Sequence, residues 1–265
     1  MDNREAKRAE YIEKIKEFRL FDDSFLSRVF DENIECTELI LRIILNDDNI
    51  KVEEVKTQFD IQNLKGRAVR LDIKGIMSDV KPFNVEVQRK TDGAGAKRAR
   101  YNSSMLDVNT LVKSEDFEDL PENYVIFITE KDVFGKGLPI YEAERTIKQT
   151  GNLLGDGSYI IYVNGEYRDQ DTAIGRLMSD FDCKNAEDMH YSQLAEQVRF
   201  YKETEKGVGI MCQIMEDVVN EEKIEIAKTF IQGKKLSLED IAEGVKLPLD
   251  VVKRLAKEVN GKALV

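Results

Sequence analysis

Residues Arg70–Gln88, RLDIKGIMSDVKPFNVEVQ, alternate apolar and polar side chains in two runs separated by a turn-forming segment, Ser78 to Pro82. The pattern predicts two antiparallel strands. In the first, Leu71, Ile73 and Ile76 supply apolar positions while Asp72 and Lys74 share the opposite face. In the second, Val85 and Val87 alternate with Glu86 and Gln88. Side chains two apart on a strand point the same way, so Glu86 and Gln88 project together, and pairing about the turn brings Asp72 opposite the Glu86–Gln88 segment. The result is a carboxylate pair with an amide beside it. Magnesium prefers oxygen ligands and is often held by only one or two carboxylates, which leaves room for water and a phosphate. A site of that kind permits hydrolysis of a phosphodiester. The competing reading is an amphipathic hairpin whose charges simply face water.

Composition narrows the chemistry. The 265 residues are 42% hydrophobic and 34% charged, a globular balance with length for one large domain and a small one. No apolar run approaches a membrane span and the start, MDNREAKRAEYIEK, lacks the apolar core of a signal peptide, so a cytoplasmic protein is expected. Cys36, Cys183 and Cys212 are scattered, which argues against a disulfide framework or a zinc site. A histidine-based mechanism would have to run through His190, the single histidine, in a polar stretch away from any serine or glycine elbow. No glycine-rich phosphate loop is present. For an enzyme, carboxylates and a metal remain. The net charge of −11 is unfavourable for binding nucleic acid, yet between Lys65 and Tyr101 ten basic residues stand against four acidic ones. That local excess surrounds the carboxylate pair, as a nucleic-acid footprint or as an ordinary solvated surface.

Taken in order, Asp72, Glu86-Val87-Gln88 and the segments FDDSFLSRVF, RLDIKG, NVEVQRK and KRARYN resemble the PD-(D/E)xK nuclease superfamily, specifically its transposase-like, recombination-promoting nuclease group. The resemblance extends through YVIFITEKDVFG and YIIYVNGEYRD to about residue 182. It implies a restriction-endonuclease-like α/β fold, a mixed sheet flanked by helices, and a magnesium-dependent DNA endonuclease linked to DNA mobility or recombination, with manganese as a possible substitute. By the same resemblance Asp72 and Glu86 bind the metal with the Val87 carbonyl, Gln88 positions water, Arg98, Tyr101 and Lys97 hold DNA phosphate, and Glu35 or Glu38 on a first helix lends a further acid. There are two departures: Gln88 stands where the superfamily has its lysine, and no proline precedes Asp72. An amide can orient water but supplies no positive charge. For Tyr101 a place in the core is an equal alternative. The alternative function is a nucleic-acid-binding or interaction module that keeps the fold without efficient catalysis; a third is an oligomeric scaffold.

Along the rest of the chain, residues 2–18 predict a peripheral amphipathic helix. Asp22, Asp23 and Ser24 can cap a second helix, which breaks near Asp31–Asn33 and resumes to Asn46. Val52–Phe59 reads as a strand, followed by a loop containing Gly66. TDGAGA then leads into a helix from Ala96 to Val112, and YVIFIT, 124–129, reads as a strand covered on both faces. Tyr159–Val163, Asn164-Gly165 and Glu166–Arg168 give a hairpin signal. From Thr172 the periodicity is helical, interrupted at Gly207 and Gly209. The tail LSLEDIAEGVKLPLDVVKRLAKEV resembles a helix-turn-helix with Ser237 and Asp240 as its cap and Lys246 at the usual turn glycine. The expected organisation is a nuclease-like domain over 1–182, whose first 20 residues are peripheral, a helical extension over 183–233 and the tail over 234–265. The tail reads as a DNA binder or as a helical cap, and the helical half as a route to a homo-oligomer.

Overall fold

The computed structural model describes residues 3–61 and 67–262, so the expected loop at Gly66 lies outside the described residues. The chain divides into two compact units, Lys16–Thr204 and Met1–Ile15 with Glu205–Val265. The division falls at Glu205, not after 182, because the helix over Ser192–Glu203 packs with the larger unit. Nine α-helices are formed among the described residues, and no helix among them is long and apolar enough to cross a membrane. The amphipathic pattern near the start forms α1 (Asn3–Glu17), with Tyr11 and Ile15 buried.

The larger unit is built on one open, mixed sheet of six strands: β1 (Val52–Ile61), β2 (Val69–Met77), β3 (Pro82–Gln88), β4 (Asn123–Thr129), β5 (Ile140–Ala143) and β6 (Ser158–Asn164). Their spatial order is β1-β2-β3-β4-β6-β5; the first three form an antiparallel meander, β4 and β6 run parallel to β3, and β5 returns antiparallel at the edge. The crossover from β3 to β4 passes through α4 (Ala96–Thr110), which lies against β3, β4 and β6. Its packing closes a core of Leu71, Ala99, Leu106, Val125 and Phe127. On β1 rest α2 (Asp23–Phe30) and α3 (Ile34–Leu45); α2 also touches β2. The break between them falls where expected: Asn33 caps α3 by accepting from Cys36 N–H, at 3.1 Å.

The central hairpin forms as its period predicts, with Ile73 opposite Val85 and a 3-10 turn over Ser78–Val80. Two details differ. Ile76 lies on the side of Asp72 and Lys74, because Gly75 fills the apolar-face position that the pattern skipped. A Cβ there would come within 2.2 Å of the Glu54 carbonyl oxygen and 2.4 Å of the Phe83 ring. Gly75→Ala is therefore expected to destabilise the protein by about 3 kcal/mol, the upper range for overpacking. Urea unfolding checks this, and an unchanged midpoint would mean that the β1–β2 edge yields. The second strand is also not amphipathic: Pro82–Val87 is buried throughout, since β3 is central and covered. YVIFIT is likewise a covered strand, as expected.

The expected hairpin after Tyr159 is not formed. Both edges of β6 are taken, by β4 and β5, so a returning strand over 166–168 has nothing to pair with. Asn164 instead closes a turn, accepting from Glu166 N–H at 2.9 Å. Gly165 passes so close to the Thr129 carbonyl that a Cβ would lie 2.3 Å from it. Thr172 then caps α5 (Ala173–Asp182), which buries Leu177, Met178 and Phe181, and α6 (Ser192–Glu203) follows. The buried Asp180 carboxylate accepts from the N–H groups of His190 and Tyr191 at 2.7 and 2.8 Å, tying the approach to α6 onto α5.

In the smaller unit α7 (Glu205–Gly233) runs through Gly207 and Gly209 without a break. Each glycine costs a helix about 1 kcal/mol, an amount that packing readily outweighs, and Gly207 is buried. The tail forms α8 (Leu238–Val245) and α9 (Leu249–Lys262), which pack with α7 around Ala227, Ile231, Ile241, Val252 and Leu255. Ser237 and Asp240 make the reciprocal cap that the sequence predicts. Lys246 takes the left-handed turn position at φ 55°, although it is not glycine.

Candidate active site

Asp72 and the Glu86–Gln88 segment meet where the β2–β3 ladder ends. Beyond the last paired residues the Asp72 side chain takes over: its Oδ2 accepts from Val87 N–H at 2.9 Å, and the Gln88 amide nitrogen lies 3.5 Å away, at the limit of a hydrogen bond. Gln88 is itself confined, since a Cβ on Gly93 would lie 2.0 Å from its amide oxygen. Asp72, Val87 and Gln88 open onto a cavity of about 530 Å³ shared with Asp22, Asp23 and Arg98.

Glu86 sits behind that cavity. It is fully buried; Oε1 accepts from Asn84 Nδ2 at 3.1 Å and Oε2 is paired with Arg98, whose other nitrogen donates to the Gly93 carbonyl at 3.1 Å. Burial raises the Asp72 carboxyl to about 7, with the neighbouring Glu86 charge adding to the rise and Val87 N–H opposing it. Burial also raises Glu86, opposed by Arg98 and Asn84. Taking a carboxylate out of water is costly, and two held together more so.

The resemblance-implied acids of the first helix do not reach this place. Glu38 accepts from Val52 N–H at 3.0 Å and pairs with Arg42, joining α3 to the start of β1; Glu35 is exposed in the first turn of α3. Neither lines the cavity, because α3 packs on β1, while the start of α2 lies at the cavity with Asp72 and the end of β3. The acid that sequence reasoning missed is Asp23. Its charge adds to the rise of both Asp72 and Glu86, and its Oδ1 accepts from Gln58 at 2.6 Å. The signal lies in FDDSFLSRVF, whose two aspartates also fit the pattern of a helix cap. Asp22 occupies the cap position without a capping bond, and its carboxylate is taken by Arg19 N–H at 2.7 Å and Arg89 at 3.0 Å.

Of the expected phosphate-binding residues, only Arg98 borders this cavity. Lys97 and Tyr101 line a different one, and the Tyr101 hydroxyl donates to the Arg67 carbonyl at 2.5 Å. Lys74, two residues beyond Asp72, does not replace the absent lysine: its Nζ lies 4.5 Å from the centre of the Phe59 ring. The exposed His190 takes no part.

Among the described residues no three His, Cys, Asp or Glu side chains form a metal-binding group. A hard cation requires less. Asp72 and Asp23 face one cavity, Glu86 lies behind Arg98, the donors are oxygens, and the crowded charge is the kind a divalent cation relieves. The donor set fits magnesium. No protein-family model, curated protein or solved structure matches the chain.

Proposed function

We propose that this chain is a magnesium-dependent DNA endonuclease of restriction-endonuclease-like fold, of the kind the resemblance to the transposase-like PD-(D/E)xK nucleases implies. The observation that carries the proposal is Asp72 crowded against Glu86 at a cavity bordered by Gln88 and Arg98. Raising two carboxyls by burial works against folding stability, and groups perturbed in this way concentrate at functional sites. The mixed sheet, the antiparallel meander carrying both acids and the helix crossing to a parallel strand also support it.

Asp72 and Asp23, which face the cavity, would hold the ion, with Glu86 behind Arg98 as the third acid and the Val87 main chain beside them. Bound magnesium supplies Lewis-acid chemistry, activating water and neutralising charge on phosphate oxygens. The Gln88 amide orients water by hydrogen bonding, and Arg98 offers a guanidinium to the phosphate. Manganese is expected to substitute for magnesium. DNA mobility or recombination is the proposed setting.

A second reading, a DNA-binding module without efficient catalysis, is favoured by one arrangement: Gln88 brings no charge, and Arg98 covers Glu86. Supercoiled plasmid incubated with the protein and magnesium, manganese or chelator separates the two. Metal-dependent nicking that the chelator abolishes is the expected result. DNA retention without nicking assigns the second reading. Self-association through the smaller unit is proposed on the exposed Ile226 and Phe230 of α7.

A further inference from the structure

The cavity that holds Lys97 and Tyr101 measures about 640 Å³ and lies between the start of β2 and the first turns of α4. Arg67, Arg70, Lys97 and Arg100 line it, and Arg98 borders both this cavity and the carboxylate one. Arg70 is paired with Asp60 at 3.1 Å and Arg98 with Glu86. Arg67, Lys97 and Arg100 are exposed, and no carboxylate among the described residues pairs with them. In a chain with 51 acidic and 40 basic residues, three uncompensated cations around one cavity depart from what charge balance alone would give. The first turn of α4 has no acidic residue, and Gly95 before it offers no side chain to cap the helix amides, so the helix end adds to the positive field. The lining also includes Ala68, Val69 and the Tyr101 ring, which is anchored by its hydroxyl on the Arg67 carbonyl. Cations and an anchored aromatic in one lining match a nucleotide, which has a phosphate at one end and a flat base at the other.

We propose that this cavity is a nucleotide subsite for DNA, taking the nucleotide that flanks the one presented to Asp72, with Arg98 standing between the two phosphates. The inference rests on the endonuclease reading for its placement along the strand, but the binding it describes needs no metal.

Binding of a short fluorescein-labelled DNA duplex, followed by anisotropy in chelator over a range of salt, tests it. The triple variant Arg67→Gln, Lys97→Gln, Arg100→Gln is expected to bind at least about tenfold more weakly than wild type, with a salt slope shallower by about two to three. A control removing the same charge elsewhere, Lys113→Gln, Lys136→Gln, Lys148→Gln, is expected to change binding much less. Circular dichroism and unfolding midpoints establish that both variants are folded, and Arg100→Glu alone, expected to weaken binding in the same direction, stands in if the triple variant is not. Equal binding by wild type and cavity variant, equal weakening by the control, or no binding by wild type at low salt would each overturn the proposal. Weakened binding with no plasmid nicking by wild type leaves the subsite standing and removes the catalytic reading. Nicking with undiminished binding by the cavity variant does the reverse.

Discussion

Replacing Asp72 by Asn is expected to reduce magnesium-dependent plasmid nicking by about 10³-fold and, in the metal-free protein, to raise stability at pH 8. The first effect follows from loss of a carboxylate at the ion, an interaction worth several kcal/mol in the transition state, each 1.4 kcal/mol being about tenfold in rate. The second follows from the position of the group. Burial and the Glu86 charge raise the Asp72 carboxyl from 3.8 to about 7, so the folded protein keeps this proton to higher pH than the unfolded chain. The stability that the protonated form contributes is complete below about pH 4 and is lost as the pH rises through 7. Asn carries no charge and still offers an oxygen to Val87 N–H. At pH 8 the variant should gain on the order of 2 kcal/mol, less than the full shift because Asp72 and Glu86 share the effect. At pH 4 the two proteins should unfold together. Urea denaturation in chelator at both pH values is the measurement. Equal stabilities at pH 8 would show that burial and the Glu86 charge do not hold the Asp72 carboxyl above its ordinary range, and the main support for the site would go with that.

Removing Arg98 is expected to act in the opposite sense. Glu86 is fully buried and its charge is met by Arg98 and Asn84, so Arg98→Met leaves a carboxylate inside the protein with only an amide to balance it. The expected cost at pH 8 is about 2 kcal/mol, below the range for breaking a fully buried pair because the Arg98 side chain is 41% exposed. Burial raises the Glu86 carboxyl, so it takes up a proton as the pH falls and the cost should shrink towards acid pH. Adding Glu86→Gln should restore much of it at pH 8, because Gln keeps the bond with Asn84 and brings no charge. A double-mutant cycle read by urea unfolding gives the coupling directly. Additive effects of the two substitutions would mean that Arg98 does not hold Glu86 in solution.

The sequence by itself determined the features that depend on near neighbours. A period of two and one turn fixed the β2–β3 register, and with it the meeting of Asp72 with Glu86 and Gln88. A continuous apolar run marked β4 as a covered strand, and a serine three residues before an aspartate marked the start of α8. Tertiary structure decided whatever depends on which surfaces meet. The Asn164-Gly165 turn looked like half of a hairpin, but β6 has no open edge for a returning strand. Glu38 stood on a suitable helix, but it is the start of α2 that lies beside Asp72 and the end of β3, so the acid at the cavity is Asp23. Lys97, Arg98 and Tyr101 are neighbours in sequence and line one cavity, yet the turn of the helix brings only Arg98 to the carboxylate cavity as well. A strand's alternation specifies the side chains across from it because pairing is local and periodic. The neighbour above a strand's end is set by packing of helices distant in sequence, which no local pattern encodes.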